Sequence, residues 1–289
     1  MQSISFKSIK RIVLILLFNF FNYSCASSNQ LMFGSTFYEI STPTFLKLKQ
    51  KLNINNSSSP EEYLEYSEAL IQYSYGIIIE KADRIKIESF TDAKPYFSES
   101  LEYFLEAKKY ITTALEKKYP DFDNYYSNMN DDYSFSYEDI PYLYWLSASI
   151  AGSIKSSHGD PQYLSDLPKI YWLISCASKI DEKWNNGALY SALMNYHLSS
   201  PIYDADSQKN ALKYFKLAEK ESKGMDISIY VSLAESYAVK IQDKTMFSDL
   251  LKIALEDQKK SSNQFKSSNK VYRARANWLL SRIDELFFM

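Results

Sequence analysis

The stretch NGALYSALMNYHLSSPIYDADSQKNALKYFKLAEKESKGMDISIYVSLAESYAVKIQDKTMFSDLLKIAL, Asn186 to Leu255, decides the fold, because one apolar spacing recurs in it four times. Leu189, Ala192, Leu193 and Tyr196 stand at i, i+3, i+4 and i+7, and so do Ala211, Tyr214, Phe215 and Ala218. Tyr230, Leu233, Ala234 and Tyr237 repeat the spacing, as do Phe247, Leu250, Leu251 and Ala254. At 3.6 residues per turn each set forms one apolar stripe, which predicts four consecutive amphipathic helices. Lys223-Gly224 reads as a C-terminal cap, Asp226 as the next N-cap, and Asp243 as the cap of the helix carrying Phe247. Connections this short make neighbouring helices antiparallel, with small residues at close approaches and aromatics filling the space between, as in stacked helix pairs.

Working outward, the chain has 289 residues, 46% hydrophobic and 16% aromatic, enough for a substantial core. Six glycines and eight prolines are too few for a protein built of strands and tight turns. An all-α fold of about ten helices follows, read as one domain over residues 43–289.

At the front, Lys7, Lys10 and Arg11 precede the apolar run Ile12 to Phe21, and Ser24, Cys25 and Ala26 follow. This is the layout of a signal peptide over residues 1–24, with a core too short to span a bilayer as an ordinary helix. Cys25 after such a core resembles the lipidation site of bacterial lipoproteins, with cleavage after Ala26 as the alternative. A lipidated Cys25 followed by Ala26, without the Asp that retains lipoproteins at the inner membrane, points to the outer membrane of a Gram-negative cell, facing the periplasm. Residues 25–42, polar with scattered aromatics, read as a tether. Loss of residues 1–24 removes three basic groups and no acidic one, so the net charge of −2 becomes −5. No basic patch is present, which argues against nucleic acid as a partner. Cys176 then remains as a single thiol in helical phase with Ile170, Leu173, Ile174 and Ala177, so it is expected to be buried and packing alone holds the fold.

A short helix is expected over Pro43 to Leu52, and Ser59-Pro60-Glu61-Glu62 is a capping box that starts a long one carrying Tyr63, Tyr66, Leu70, Tyr73 and Ile77. Gly76 in its middle implies a close helix contact. The next helix is expected from Pro95 to Lys118, stopped by Pro120. Tyr119 to Asp139 reads as an acidic, aromatic surface loop or lid; Tyr125 and Tyr126 stand where a calcium loop needs a ligand and a glycine, so no metal is expected. Tyr144 to Gly152 is dense in small residues and reads as a buried helix with tight crossings. His158-Gly159-Asp160-Pro161 is a turn before a helix over Leu167 to Lys179.

A further pattern recurs: Ala107-Ile111-Ala114, Ile170-Ile174-Ala177, Ala211-Phe215-Ala218 and Phe247-Leu251-Ala254, at intervals of 63, 41 and 36 residues. The last interval approaches the period of tetratricopeptide (TPR) repeats, so the array is read as TPR-like hairpins with insertions, a non-repetitive bundle being the alternative. Leu143-Tyr144-Trp145-Leu146-Ser147-Ala148-Ser149, Leu167-Pro168, Asn186-Gly187-Ala188-Leu189-Tyr190, Ala211-Leu212-Lys213-Tyr214-Phe215, Tyr237-Ala238-Val239 with Gln242-Asp243, and Arg273 to Leu280 stand in an order that resembles the TatT family. These are T components associated with tripartite ATP-independent periplasmic (TRAP) transporters, and the resemblance runs from Tyr73 to Leu280. Tyr190 stands where that family often has His. The resemblance implies a TPR-like lipoprotein working beside the periplasmic solute-binding protein, the P component.

Catalysis finds little support. His158 and His197 lack metal spacing, and no phosphate loop, nucleophile elbow or Cys-His arrangement is present, so neither an enzyme nor a cofactor is expected. Stacked hairpins create grooves, and Tyr144, Trp145, Tyr190, Tyr196 and Tyr237 are candidates to line one, with core packing as the alternative for each. Arg273 and Arg275 are candidates to meet a carboxylate on a ligand or partner, with pairing to nearby acids as the alternative. The expected partners are the solute-binding protein and a small organic acid or apolar ligand, with a homo-oligomer as a further option. A general TPR-like envelope scaffold is the competing reading.

Overall fold

The structure, a computed structural model, describes Phe45 and residues 54–130, 134–199, 205–256 and 265–288. The expected signal segment, Cys25, the tether and the helix over Pro43 to Leu52, Phe45 apart, lie outside the described residues. Among the described residues every regular element is helical, and none is a strand.

The capping box opens α1 (Pro60–Tyr73): the Ser59 hydroxyl accepts from Glu62 N–H, and the Glu62 carboxylate accepts from Ser59 N–H at 2.7 Å. The helix continues through a π-helical segment (Ser74–Ile79) into α2 (Glu80–Ile85). Gly76 is buried inside that segment, where the backbone is widened by a residue. α3 (Phe90–Lys118) begins five residues before the expected Pro95. The reason is Ser89, whose hydroxyl accepts from Asp92 N–H at 3.2 Å and caps the helix, leaving Pro95 in its early turns. α3 folds back on α1 as an antiparallel hairpin. Lys117 reaches the carbonyl of Ser58, the Tyr66 hydroxyl meets Glu106, and Lys81 lies over Tyr96.

Residues 119–130 and 134–139 are more ordered than a surface loop. They contain α4 (Phe122–Asn128) and a 3₁₀ turn (Tyr137–Asp139). Phe122 stacks on Tyr126 and, with Phe135, packs toward Trp172, so these three of the aromatics that looked like a lid complete the core, while Tyr137 stays exposed. Asp139 is buried and receives Lys118, the Tyr119 hydroxyl and Ser136. Burial would raise its carboxyl, but these donors outweigh that and hold it below the usual carboxylate range.

The second hairpin joins α5 (Ile140–Ser156) through α6 (Pro161–Leu164) to α7 (Leu167–Asp181). The third joins α8 (Trp184–Leu198) to α9 (Ala205–Ser222). Asn185, Asn186 and Gly187 adopt left-handed φ of 52°, 55° and 87°, so regular helix begins only after this corner. A Cβ at Gly187 would lie 3.0 Å from Glu221 Cβ, and this close approach seats α8 on α9. The fourth hairpin comprises α10 (Ser228–Leu233), a second π-helical segment (Ala234–Ala238) and α11 (Lys244–Leu255), which Asp243 caps by accepting from Met246 N–H at 2.8 Å. α12 (Lys266–Leu280) and the short α13 (Ile283–Leu286) finish the chain.

The recurring pattern of an apolar or small residue, a bulky one and Ala falls on the second helix of all four hairpins, α3, α7, α9 and α11. Its residues are buried against the partner helix, apart from a partly buried Phe215. This arrangement is compatible with TPR-like stacking. Two large apolar cores result, beside a small cluster of Ala82, Ala93 and Phe97. One runs from Phe45 to Leu193 and includes the buried Cys176; the other runs from Tyr190 to Phe287. Val271 is the α12 residue that enters the first core.

The tight crossing expected of α5 is centred on Gly152, where an added Cβ would meet the buried Phe104 ring at 2.4 Å. Gly152→Ala improves helix propensity but forces Phe104 against Tyr75, its ring neighbour at 4.7 Å. The expected outcome is a net loss of about 1–3 kcal/mol of unfolding free energy in urea titration, against the gain of about 1 kcal/mol that propensity alone would give.

Candidate functional site

The first helices of the hairpins face one another around a cavity of about 480 Å³. The π segment and α2 supply Tyr75, Ile79 and Glu80, α5 supplies Tyr144, Ser147, Ala148, Ala151, Ile154 and Lys155, and α8 supplies Ala192, Asn195 and Tyr196. The second π segment adds Glu235 and Ser236, and α12 adds Tyr272 and Arg275. Leu164, Leu167 and Ile170, around the start of α7, give the wall an aliphatic side. Both π segments contribute to the lining, which is where such widened turns tend to occur.

Arg275 organises the polar wall. Its Nη1 donates to Glu80, its Nε donates to Glu235 Oε2 at 2.6 Å, and its Nη2 donates to Glu235 Oε1 and to Asp83 Oδ2 at 3.3 Å. These contacts join residues 195 and 192 positions apart and connect the first hairpin to the last long helix. Lys155 and Lys86 add to the cluster, donating to Asp83 at 3.1 and 2.7 Å. On the outer side of the same seam, Arg84 and Arg275 both lie over the Trp278 ring, at 5.1 and 5.5 Å.

Burial differs within the cluster. Side chains of Arg275, Glu80 and Asp83 are 8%, 2% and 3% exposed, whereas Glu235 and Lys155 are 32% and 43% exposed. Burial pushes the Glu80 carboxyl up, with Arg275 pulling it back. At Asp83 burial acts in the same direction, but Lys155, Arg275 and Lys86 outweigh it and hold the carboxyl well below the usual range. Arg275 remains cationic: burial alone would lower its pKa, and the carboxylates around it raise it instead. Burial raises Tyr75 and Tyr272, so both stay as neutral hydroxyls, and Tyr75 donates to the Ala148 carbonyl at 3.1 Å.

Of the residues singled out by the sequence, Tyr144, Tyr196 and Arg275 line the cavity. Tyr144 packs edge-on to Trp145 at 5.5 Å and against Trp184 at 5.3 Å. Trp145 itself is buried in the first core. Tyr190 belongs to the second core, stacked on Tyr214, and burial with a bond to Glu182 pushes its hydroxyl up to about 12. Tyr237 is packed partly buried against the second core, and Arg273 is partly exposed on α12. Sequence reasoning missed Glu80, Asp83, Lys155 and Glu235. Glu80 and Asp83 carried a signal, since they are charged residues at positions flanked by the buried Ile79 and Ala82.

Among the described residues no group of three or more His, Cys, Asp or Glu is placed to hold a metal ion, and no helix is long and apolar enough to cross a membrane. The fold is thus an array of helical hairpins around a partly polar cavity of about 480 Å³. The family model described as TRAP transporter T-component (TAtT) matches residues 38–287, and the chain belongs to that family. It is thereby an accessory component of a TRAP transporter, and a periplasmic location fits that role. A search of curated proteins found no match.

Removing Arg275 would leave Glu80 buried without its main counter-charge, and Asp83 with Lys155 and Lys86 alone. Arg275→Met is expected to lower the unfolding free energy by about 3–5 kcal/mol in denaturant titration, and adding Glu80→Gln is expected to recover part of the loss. Equal stability of wild type and Arg275→Met would show the cluster to be energetically idle.

Proposed function

We propose that this protein is a lipid-anchored periplasmic accessory protein that binds the solute-binding P component of its TRAP transporter and holds a small ligand for transfer toward the permease. Family membership supports the transporter role, and the observation that carries the ligand role is the cavity to which the first helices of all four hairpins contribute. A void of about 480 Å³ with an aliphatic side and a few convergent polar groups has the size and mixed lining of a small-molecule site.

Anchoring would come from lipidated Cys25 after removal of residues 1–24, with residues 25–42 as the tether and the outer membrane as the host. Tyr144 and Tyr196 are proposed ligand contacts, and Arg275 a holder of the wall. For Trp145, Tyr190 and Tyr237 core packing is the favoured role.

Pull-down of the mature chain with periplasmic proteins of its cell tests the partner. The expected and supporting result is recovery of a solute-binding protein in preference to other periplasmic proteins. Recovery of envelope-assembly proteins instead, with no solute-binding protein, would favour the general scaffold.

A further inference from the structure

The two half-exposed charges on the polar wall have opposite sign, and buried partners of opposite sign hold each in place. Lys155 donates to Asp83 Oδ2 at 3.1 Å, and the same oxygen accepts Arg275 Nη2 at 3.3 Å. That same nitrogen donates to Glu235 Oε1. Three contacts in series therefore connect the Lys155 ammonium to the Glu235 carboxylate, a path about as long as one small head group with a hydrogen bond at each end.

The guanidinium between them is committed. Nε and Nη2 take Glu235, Nη1 takes Glu80, and Nη2 also meets Asp83, so four of its five N–H groups already meet its own acids. An ammonium has three donors, and a carboxylate has about four lone-pair sites. Lys155 and Glu235, each more exposed than Arg275 and with fewer contacts to its own partners, thus keep the greater capacity for a ligand. The charges on the lining also cancel: Glu80 and Glu235 against Lys155 and Arg275. A ligand with net charge of either sign finds no excess of counter-charge here, while one carrying both signs meets both.

We propose that the ligand has a zwitterionic head group of the α-amino-acid kind, its carboxylate on Lys155 and its ammonium on Glu235, with an apolar body against Leu164, Leu167 and Ile170. This rests on the ligand role proposed for the cavity. It selects a class distinct from the organic acid and the wholly apolar molecule that the sequence suggested.

A matched set of probes tests it: L-phenylalanine, 3-phenylpropanoate, which lacks the ammonium, and 2-phenylethylamine, which lacks the carboxylate. In calorimetric titration of the mature chain, phenylalanine is expected to bind at least about tenfold more tightly than either analogue, the loss of one charge-assisted bond. Lys155→Met is expected to weaken phenylalanine and phenylpropanoate and leave phenylethylamine unchanged. A merely structural role for Lys155 would move all three together. Asp83 keeps Arg275 and Lys86 in that variant, so it should fold; Glu235→Gln, with the opposite selectivity, is the second arm. Phenylpropanoate or phenylethylamine binding as tightly as phenylalanine overturns the head-group assignment and leaves the cavity's ligand role standing. Failure of all three to bind, together with failure of the apolar dye Nile red to enter, overturns both.

Discussion

A guanidinium taken out of water must be repaid by carboxylates in good geometry, and in this chain the carboxylates that do so come from opposite ends of the fold. Arg275 on α12 is bracketed by Glu80 and Asp83 on α2 and by Glu235 in the second π segment. Ionic desolvation amounts to several kcal/mol per group, so these partners are required once the guanidinium is buried. The consequence is topological. A row of hairpins, each contacting chiefly its neighbours, would otherwise be an open array, and this cluster joins its first and last members around a shared space.

The two apolar cores explain why that junction is ionic. Stripes on the second helices fill the interiors of the hairpins, and these cores meet near Tyr190 and Leu193 rather than at the seam between α2 and α12. Val271 provides apolar contact from α12 to the first core, and Trp278 is sandwiched by guanidinium groups outside it. The first helices are left facing inward with mixed side chains. Small residues such as Ala148, Ala151 and Ala192 keep the space open, while Tyr75, Tyr144, Tyr196 and Tyr272 give it hydroxyls and aromatic edges. Packing therefore builds the walls, and charge closes them.

Local chemistry made the helices legible in the sequence. The Ser59 capping box, the Asp243 cap, the buried stripe on α11 and the partly buried one on α9 follow from spacing alone. The small-residue run around Gly152 announced the crossing with Phe104. Where local and tertiary effects compete, the sequence was harder to read: Ser89 starts α3 ahead of Pro95, and burial beside Trp172 turns the apparent loop at 119–139 into a short helix and a turn. The cavity wall was least legible, because its charges lie nearly two hundred positions apart and each, seen alone, looks like an ordinary solvated residue. Arg275 was visible as a candidate, but its partners were not, and these partners change its meaning from a group that greets a ligand's carboxylate to one that already holds three of the protein's own.

The most direct test of closure is hydrogen exchange, read by mass spectrometry, in wild type and Arg275→Met. Closure by this side chain predicts that peptides covering residues 74–85 and 266–280 lose protection together, while those covering α3, α5 and α7 keep theirs. Loss confined to α12, with 74–85 unchanged, would contradict the claim that Arg275 holds the two ends of the array around one cavity.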